Sequence, residues 1–372
     1  MPITAGGRIS GKLQGFTLGM LNVQSESLPS EGIPASNYAV LRVKRDVLSR
    51  STVGAFLLNR EKAGSDDFNR VYGVDGKLAI RKHFTMEAFL AKSTQSARVK
   101  DNWVASGDAQ WNSDFLLVGM EYLSLQPNFR NDLGYIRRGN IRRFTPALAL
   151  RPRPPIPGIR QMEISGRWDY VLNQKNRLVE RIDEYAFQLT FQSGDVLRIV
   201  PLQHLFDRVE KPSAIKGIRI PAGDYAWNRY SAKFQGFRKR KLAGSVSFTH
   251  SYGYYKGNLY EWGISPVLQL NKKISIDADY KISDLTLPSG SSTSHTIDGG
   301  FSYTFNKQWL TNTILQYDSG NSFVRIHSRL NYIFRPDDDF FLIYSESRYV
   351  GGAQQGLQDR TVQAKVTYSF DF

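Results

Sequence analysis

Apolar and polar residues alternate with a period of two along most of this chain, in runs of about ten residues, and few folds can use such a pattern. The closing segment shows it most clearly. Val362, Ala364, Val366, Tyr368, Phe370 and Phe372 fall on one face, with Gln363, Lys365, Thr367, Ser369 and Asp371 on the other. A helix would scatter both sets around its axis, whereas a strand sorts them. Ile274, Ile276, Ala278, Tyr280 and Ile282 repeat the pattern against Ser275, Asp277, Asp279, Lys281 and Ser283. So do Ile297 to Phe305, Val324 to Phe334 and Val74 to Ile80. Soluble sandwiches and propellers also alternate, but their strands usually run about 5 to 6 residues, while a tilted strand needs about 9 to 11 to cross a bilayer. Several apolar faces end in aromatic pairs, Tyr303 with Phe305, Tyr332 with Phe334 and Tyr260 with Trp262, as an interfacial girdle requires.

The longest apolar run is Phe115 to Met120, far short of the roughly 18 residues of a membrane-spanning helix. The opening residues Met1 to Gly7 have no basic start and no apolar core, so they do not read as a secretory signal. Charge leaves two classes open. A net charge of +15 with 19 Tyr, 22 Phe and 6 Trp would suit a soluble protein that stacks on nucleic acid, or a barrel with aromatic rings facing lipid. Periodicity decides for an all-β, transmembrane, antiparallel up-and-down β-barrel in the bacterial outer membrane, with nucleic acid not expected as a partner. The absence of cysteine is compatible with passage through an oxidising periplasm.

Turn lengths alternate. Short ones include Asn112 to Asp114, Ser193 to Asp195, Asn271 to Lys273, Asn306 to Gln308 and Arg335 to Asp339. Longer ones include Ser25 to Ser36, Arg60 to Asn69, Gln126 to Asn140, Asp207 to Gly217, Leu285 to His295 and Tyr349 to Arg360. Short turns are periplasmic in outer-membrane barrels and long loops external. The walk gives about 21 strands, the first near Gly6 to Leu13, and the even strand number of bacterial single-chain barrels then predicts one preceding strand and about 22 in all. On this reading residues 1–372 are a barrel domain truncated at its N-terminus, with signal peptide, periplasmic module and first strand missing.

The chain resembles the C-terminal barrel of an outer-membrane family of unknown function whose members carry an N-terminal carbohydrate-binding module of family 9 type. The matching residues are Gly6 to Lys12, Phe16 to Asn22, Asn37 to Val40 with Arg45-Asp46, and Ser51 to Gly54. They continue through Tyr122-Leu123, Asn128-Phe129, Leu133 to Tyr135 and Ile141 to Arg143, and close with Asn331 to Pro336, Tyr344 and Tyr368 to Phe372. The carbohydrate module itself is absent from this sequence, and Arg130-Asn131-Asp132 stands where an Asn-Pro-Glu-like sequence is expected. The resemblance implies a barrel linked to glycan through that module. It also marks Phe372, with Phe370 and Tyr368, as a signal read by the barrel-insertion machinery.

Chemistry-bearing motifs are sparse. His83, His204, His250, His295 and His327 sit in no metal-ligating spacing, and no phosphate-binding loop occurs, so neither metal nor cofactor is expected. His327 shares a face with Ser302 and Asp298, the one arrangement that could serve a hydrolase acting on glycan or lipid. Lumen-facing charges are more numerous. Arg42, Lys44, Lys77, Arg81, Arg167, Arg229, Lys233, Lys281, Arg325 and Arg329 are expected to point inward, with Asp75, Glu87, Asp108, Glu121, Asp169, Asp277, Asp279 and Asp298. Interleaved signs predict a salt-bridge lattice; the excess of cations predicts attraction of anions. Pro152, Pro154, Pro155 and Pro157 with Arg151 and Arg153 form a stiff basic turn, and Lys239 to Lys241 another. The functional expectation is transport or a scaffold, in contact with outer-membrane lipid, and not catalysis.

Overall fold

A computed structural model describes residues 2–336, 338–351 and 355–368. They form one antiparallel sheet of 21 strands and a separate two-stranded hairpin, the strand number that the turn spacing predicts. The chain divides into two compact units, Met1–Arg151 with Ser165–Asp183, and Pro152–Ile164 with Glu184–Phe372.

The first unit holds β1 (Ile3–Leu13), β2 (Phe16–Ser25), β3 (Ser36–Leu48), β4 (Ser51–Lys62), β5 (Phe68–Ile80), β6 (Phe84–Gln95), β7 (Trp103–Asn112), β8 (Leu116–Leu125) and β9 (Ile141–Leu150). Parts of β10 (Ile159–Asn173) and β11 (Leu178–Phe191) belong to it as well. The second unit holds β12 (Val196–Val209), the hairpin β13 (Ser213–Ile215) and β14 (Ile218–Ile220), then β15 (Gly223–Gln235), β16 (Leu242–Tyr254) and β17 (Gly257–Gln269). It continues with β18 (Ile274–Leu287), β19 (Gly290–Thr304), β20 (Trp309–Asp318), β21 (Phe323–Arg335), β22 (Asp338–Tyr349) and β23 (Gly356–Thr367). Each sheet strand pairs with its neighbour in sequence, and β12 passes over the small hairpin to pair with β15.

Turn chemistry follows the sequence. Gln14 and Gly15, both at positive φ, close β1 onto β2 in the mirror-image turn that matches strand twist. Tyr255 and Lys256 do the same between β16 and β17, at φ 45 and 70, where glycine or asparagine would be usual. One expected loop is absent: β18 and β19 extend to Leu287 and from Gly290, so Leu285 to His295 is mostly strand with a turn at Pro288-Ser289. The serines and threonines that read as loop are polar positions of a long hairpin. Likewise β12 runs through Asp207 to Val209 before the chain leaves the sheet.

Registered partners share a face, so polar residues form rows across strands. Thr52, Lys77, Glu87, Asp108, Glu121 and Thr145 make one such row from β4 to β9. The opposite face is apolar and uncovered: Val74 is 58% exposed, Val246 51% and Ile276 39%. The buried cluster of Val71, Ala91, Val104 and Leu125 lies instead on the polar face, as do buried Leu285 and Leu287.

Candidate functional site

Most of the expected inward charges lie on the polar face, and many are ion-paired. Gly54 stands between Lys44 and Asp75 on one rung. With no side chain there, the Arg42 guanidinium of β3 reaches across β4 to Asp75 of β5, donating from Nη2 at 2.7 Å. Lys77 pairs with Glu87, Arg143 donates to Asp169 at 2.8 Å, and Lys281 meets Glu261 at 2.6 Å. Arg229 donates to the Ser251 hydroxyl at 3.0 Å. Asp279 accepts from Ser265, Asp298 accepts from Gln316, and Asp277 shares a rung with Gly300. Asp108 and Glu121 are rung partners, and Arg167 is exposed on β10 in phase with Asp169.

Arg81 departs from expectation. It lies in the turn after β5 at φ 52, where its carbonyl accepts from Arg50, and so is a turn residue and not part of a strand's inner face. Tyr368 follows β23, with the Arg335 guanidinium 4.3 Å from its ring centroid. Phe370 and Phe372 lie outside the described residues.

Two segments fold back onto the polar face, one in each unit. In the first, the β8–β9 connection (126–140) lies over β4, β5 and β6. Arg60, whose side chain is only 4% exposed, donates from Nε to Asp132 at 2.9 Å and from Nη2 to Asp67 at 3.1 Å. Asn69 donates to the Arg130 carbonyl at 3.0 Å and accepts from the Asp132 N–H at 3.0 Å. The Arg130 N–H donates to Ser93 at 3.1 Å. Beneath these bonds Val71, Ala91, Val104 and Leu125 are buried, packed by Phe129, Ile136 and Ile141. Hydrogen bonds from the Arg60 guanidinium, then from Lys62, hold the Asp67 carboxyl down at about 2.

In the second unit the β13–β14 hairpin plays this part. Ile218 and Ile220 are buried, and Leu285 and Leu287 of β18 are buried on the same polar face. Lys216 donates to Ser294, and the Ser289 hydroxyl donates to the Arg219 carbonyl at 2.7 Å. Burial depresses the Lys216 ammonium pKa. Tyr225 and Trp227 cluster with Tyr254 and Tyr255, their rings meeting at 4.8 to 5.2 Å. The Tyr255 hydroxyl donates to Asp207 at 2.6 Å, which helps hold its backbone in the left-handed region.

The sequence carried a signal for both caps, out-of-phase apolar residues. Leu285 and Leu287 share the parity of Lys281 and Ser283, and Val71 shares that of Asp75. An apolar residue on a polar face makes sense only where something covers it.

The apolar face of the second unit carries two aromatic belts. Toward the end where β12 and β15 are joined, His250 stacks on Tyr260 at 4.2 Å, with Tyr230 and Tyr252 beside it, and Tyr280 donates to or accepts from His295 at 2.8 Å. At the other end Tyr303 meets Phe305 at 4.4 Å and Trp309 stacks on Tyr332 at 4.5 Å. From His295 to Phe305 the chain advances about 33 Å, or about 25 Å along the membrane normal at the usual strand tilt.

His327 does lie on the face that carries Ser302 and Asp298, but its ring Nδ1 meets Ser345 of β22 at 2.7 Å. Ser302 accepts from Asn312 and Asp298 from Gln316, so the three do not form a relay. Among the described residues no group of His, Cys, Asp or Glu is placed to hold a metal ion.

No family model matches this chain, and no curated protein matches it significantly in sequence. Among solved structures it is similar to the ferric-catecholate import receptor Fiu from E. coli K12 in its open form, at 8% identity and a TM-score of 0.45, over 96% of this chain and 71% of that one. It is also similar to the copper transporter OprC, at 12% identity and a TM-score of 0.42, over 97% of this chain and 70% of that one.

Proposed function

We propose that this chain forms the wall of a β-barrel in the Gram-negative outer membrane and serves the passage of small polar solutes, with the two folded-back segments narrowing its lumen. The carrying observation is the pair of aromatic belts on an uncovered apolar face, spaced by about the 25 Å of a membrane barrel's apolar band. The opposite face is lined with ion-paired and hydroxyl side chains, as a water-filled interior demands. A link to carbohydrate recognition rests on the sequence resemblance alone, and handling by the insertion machinery rests on the C-terminal aromatic pattern.

The test is refolding into detergent micelles. Faster gel migration before boiling than after, followed by stepwise conductance in planar bilayers, is the expected result. A chain that stays soluble and monomeric without detergent overturns the membrane reading and favours the basic nucleic-acid binder, whose binding weakens steeply with salt.

A hydrolase is the second reading, favoured by the His327–Ser345 contact alone. Catalysis of that type needs a carboxylate to orient the imidazole's other nitrogen, and Asp298, on the β19 rung of Gln316, is held by that side chain. Ester hydrolysis by the folded protein that disappears in Ser345→Ala would establish it.

A further inference from the structure

The charges on the polar face of the second unit are not all neutralised, and three of the exceptions lie near one another on β21 and β23. Arg325 and Arg329 of β21 and Lys365 of β23 make no ion pair among the described residues. Each instead rests against an aromatic ring: Arg325 5.5 Å from the Phe323 centroid, Arg329 4.0 Å and Lys365 5.8 Å from that of Phe341. The contrast with Arg42, Arg143 and Lys281 matters chemically. A carboxylate partner consumes the in-plane N–H donors of a guanidinium, whereas a ring covers its flat face and leaves those donors free.

Arg325 opens into a groove of about 350 Å³ that it shares with His327, Gln316, Ser345 and Ser347. Two carboxylates stand at its margin, one neutralised and one carrying its charge. Glu346 lies in register with Ile326 and is bound by Arg348, Arg360 and Tyr344. Asp359 lies a strand beyond Ser347 and accepts from the Thr361 hydroxyl at 3.2 Å. What the groove presents is therefore a guanidinium with free donors, an imidazole with one nitrogen uncommitted and two hydroxyls, with the Asp359 carboxylate one strand beyond Ser347 as an acceptor for a ligand's hydroxyls.

We propose that this groove is a binding site for a small organic oxyanion, its head group held in the fork of Arg325 with Ser347 and His327 alongside. The volume exceeds what a bare head group needs and lies at the lower end of small-molecule sites, so the ligand carries a short polar body as well. The inference rests on the reading of this face as water-filled, and the site would give the pore a point of selection for anions.

Glycerol 3-phosphate, with glycerol as the uncharged control, tests it by line broadening of the probe's own C–H proton resonances on the chain folded in deuterated detergent. Chains that migrate faster unboiled are used throughout, so failure of the barrel reading shows at that step and separately from failure of the site. Saturable broadening by the folded wild type, weakened about tenfold or more in Arg325→Gln and less in Ser347→Ala, is expected. Lys233→Gln removes the same charge from the same face and should leave binding unchanged. Equal loss in Lys233→Gln shows diffuse attraction and overturns the site, as does absence of saturable binding by folded wild type. A carboxylate probe on the same three-carbon frame, glycerate, separates the two head-group sources: binding of both assigns oxyanions in general, and binding of glycerol 3-phosphate alone assigns phosphate.

Discussion

Arg60 shows how one residue can fix a segment far away in sequence. Its guanidinium has left water and is balanced by Asp67 on one side and Asp132 on the other. Removing one member of a buried charge cluster strands the rest, at a cost of about 3 to 5 kcal/mol in local stability. Arg60→Ala is therefore expected to free the 126–140 segment, read as faster trypsin cleavage at Arg137 or Arg138 in the otherwise folded protein. Unchanged cleavage would mean that the apolar contacts of Phe129 and Ile136 suffice alone. Acid should act on the same latch. The folded pKa of Asp67 lies below its unfolded value of about 4. Its contribution is thus fully present above pH 4 and is lost as pH falls through about 2. Amide hydrogen exchange in 126–140 should stay slow relative to its intrinsic rate at pH 5 and lose protection near pH 2. The partial exposure of Asp67 keeps this effect modest.

At the scale of the strand, side-chain phase carries the information. Ile276 lies on the apolar face between the two belts, in register with Leu268 and Phe301, while its neighbour Asp277 points the other way. Ile276→Arg should cost about 2 to 4 kcal/mol in a lipid bilayer, and Asp277→Asn far less. Urea titration of the protein refolded in vesicles would separate the two, and equal effects would remove the distinction between lipid and lumen faces. This period of two is why the strands, their number and the sharing of one polar face by most of the named charges were legible in the sequence. Hairpin ends were less so: Ser291 to Thr293 look like loop because hydroxyl residues suit both a turn and a watered strand face. Arg81 failed for a related reason, since parity places a residue correctly only while the strand lasts. The caps were hidden because contacts such as Arg60 with Asp132 join residues whose separation no local pattern encodes.

For the whole molecule, the question is what the two caps do to a conducting path. On the proposed pore reading, a wall built from the 21 described sheet strands is too wide for its side chains alone to fill, so conductance is set by whatever folds into it. Each unit supplies such a segment, and each is seated on an apolar patch of its own unit, Val71 with Val104 in one and Leu259 with Leu285 in the other. An unused apolar patch on a watered face would be a defect, so the caps are part of the resting structure. Replacing Ser213–Ile220 by a short Gly-Ser linker should leave heat-modifiable migration intact and raise single-channel conductance. Leu285→Ser and Leu287→Ser in the same background should then be tolerated, because their cover is gone. Replacing 126–140 should raise conductance as well. If neither deletion changes it while the protein still inserts, the narrowest point lies elsewhere and the caps serve the stability of the wall.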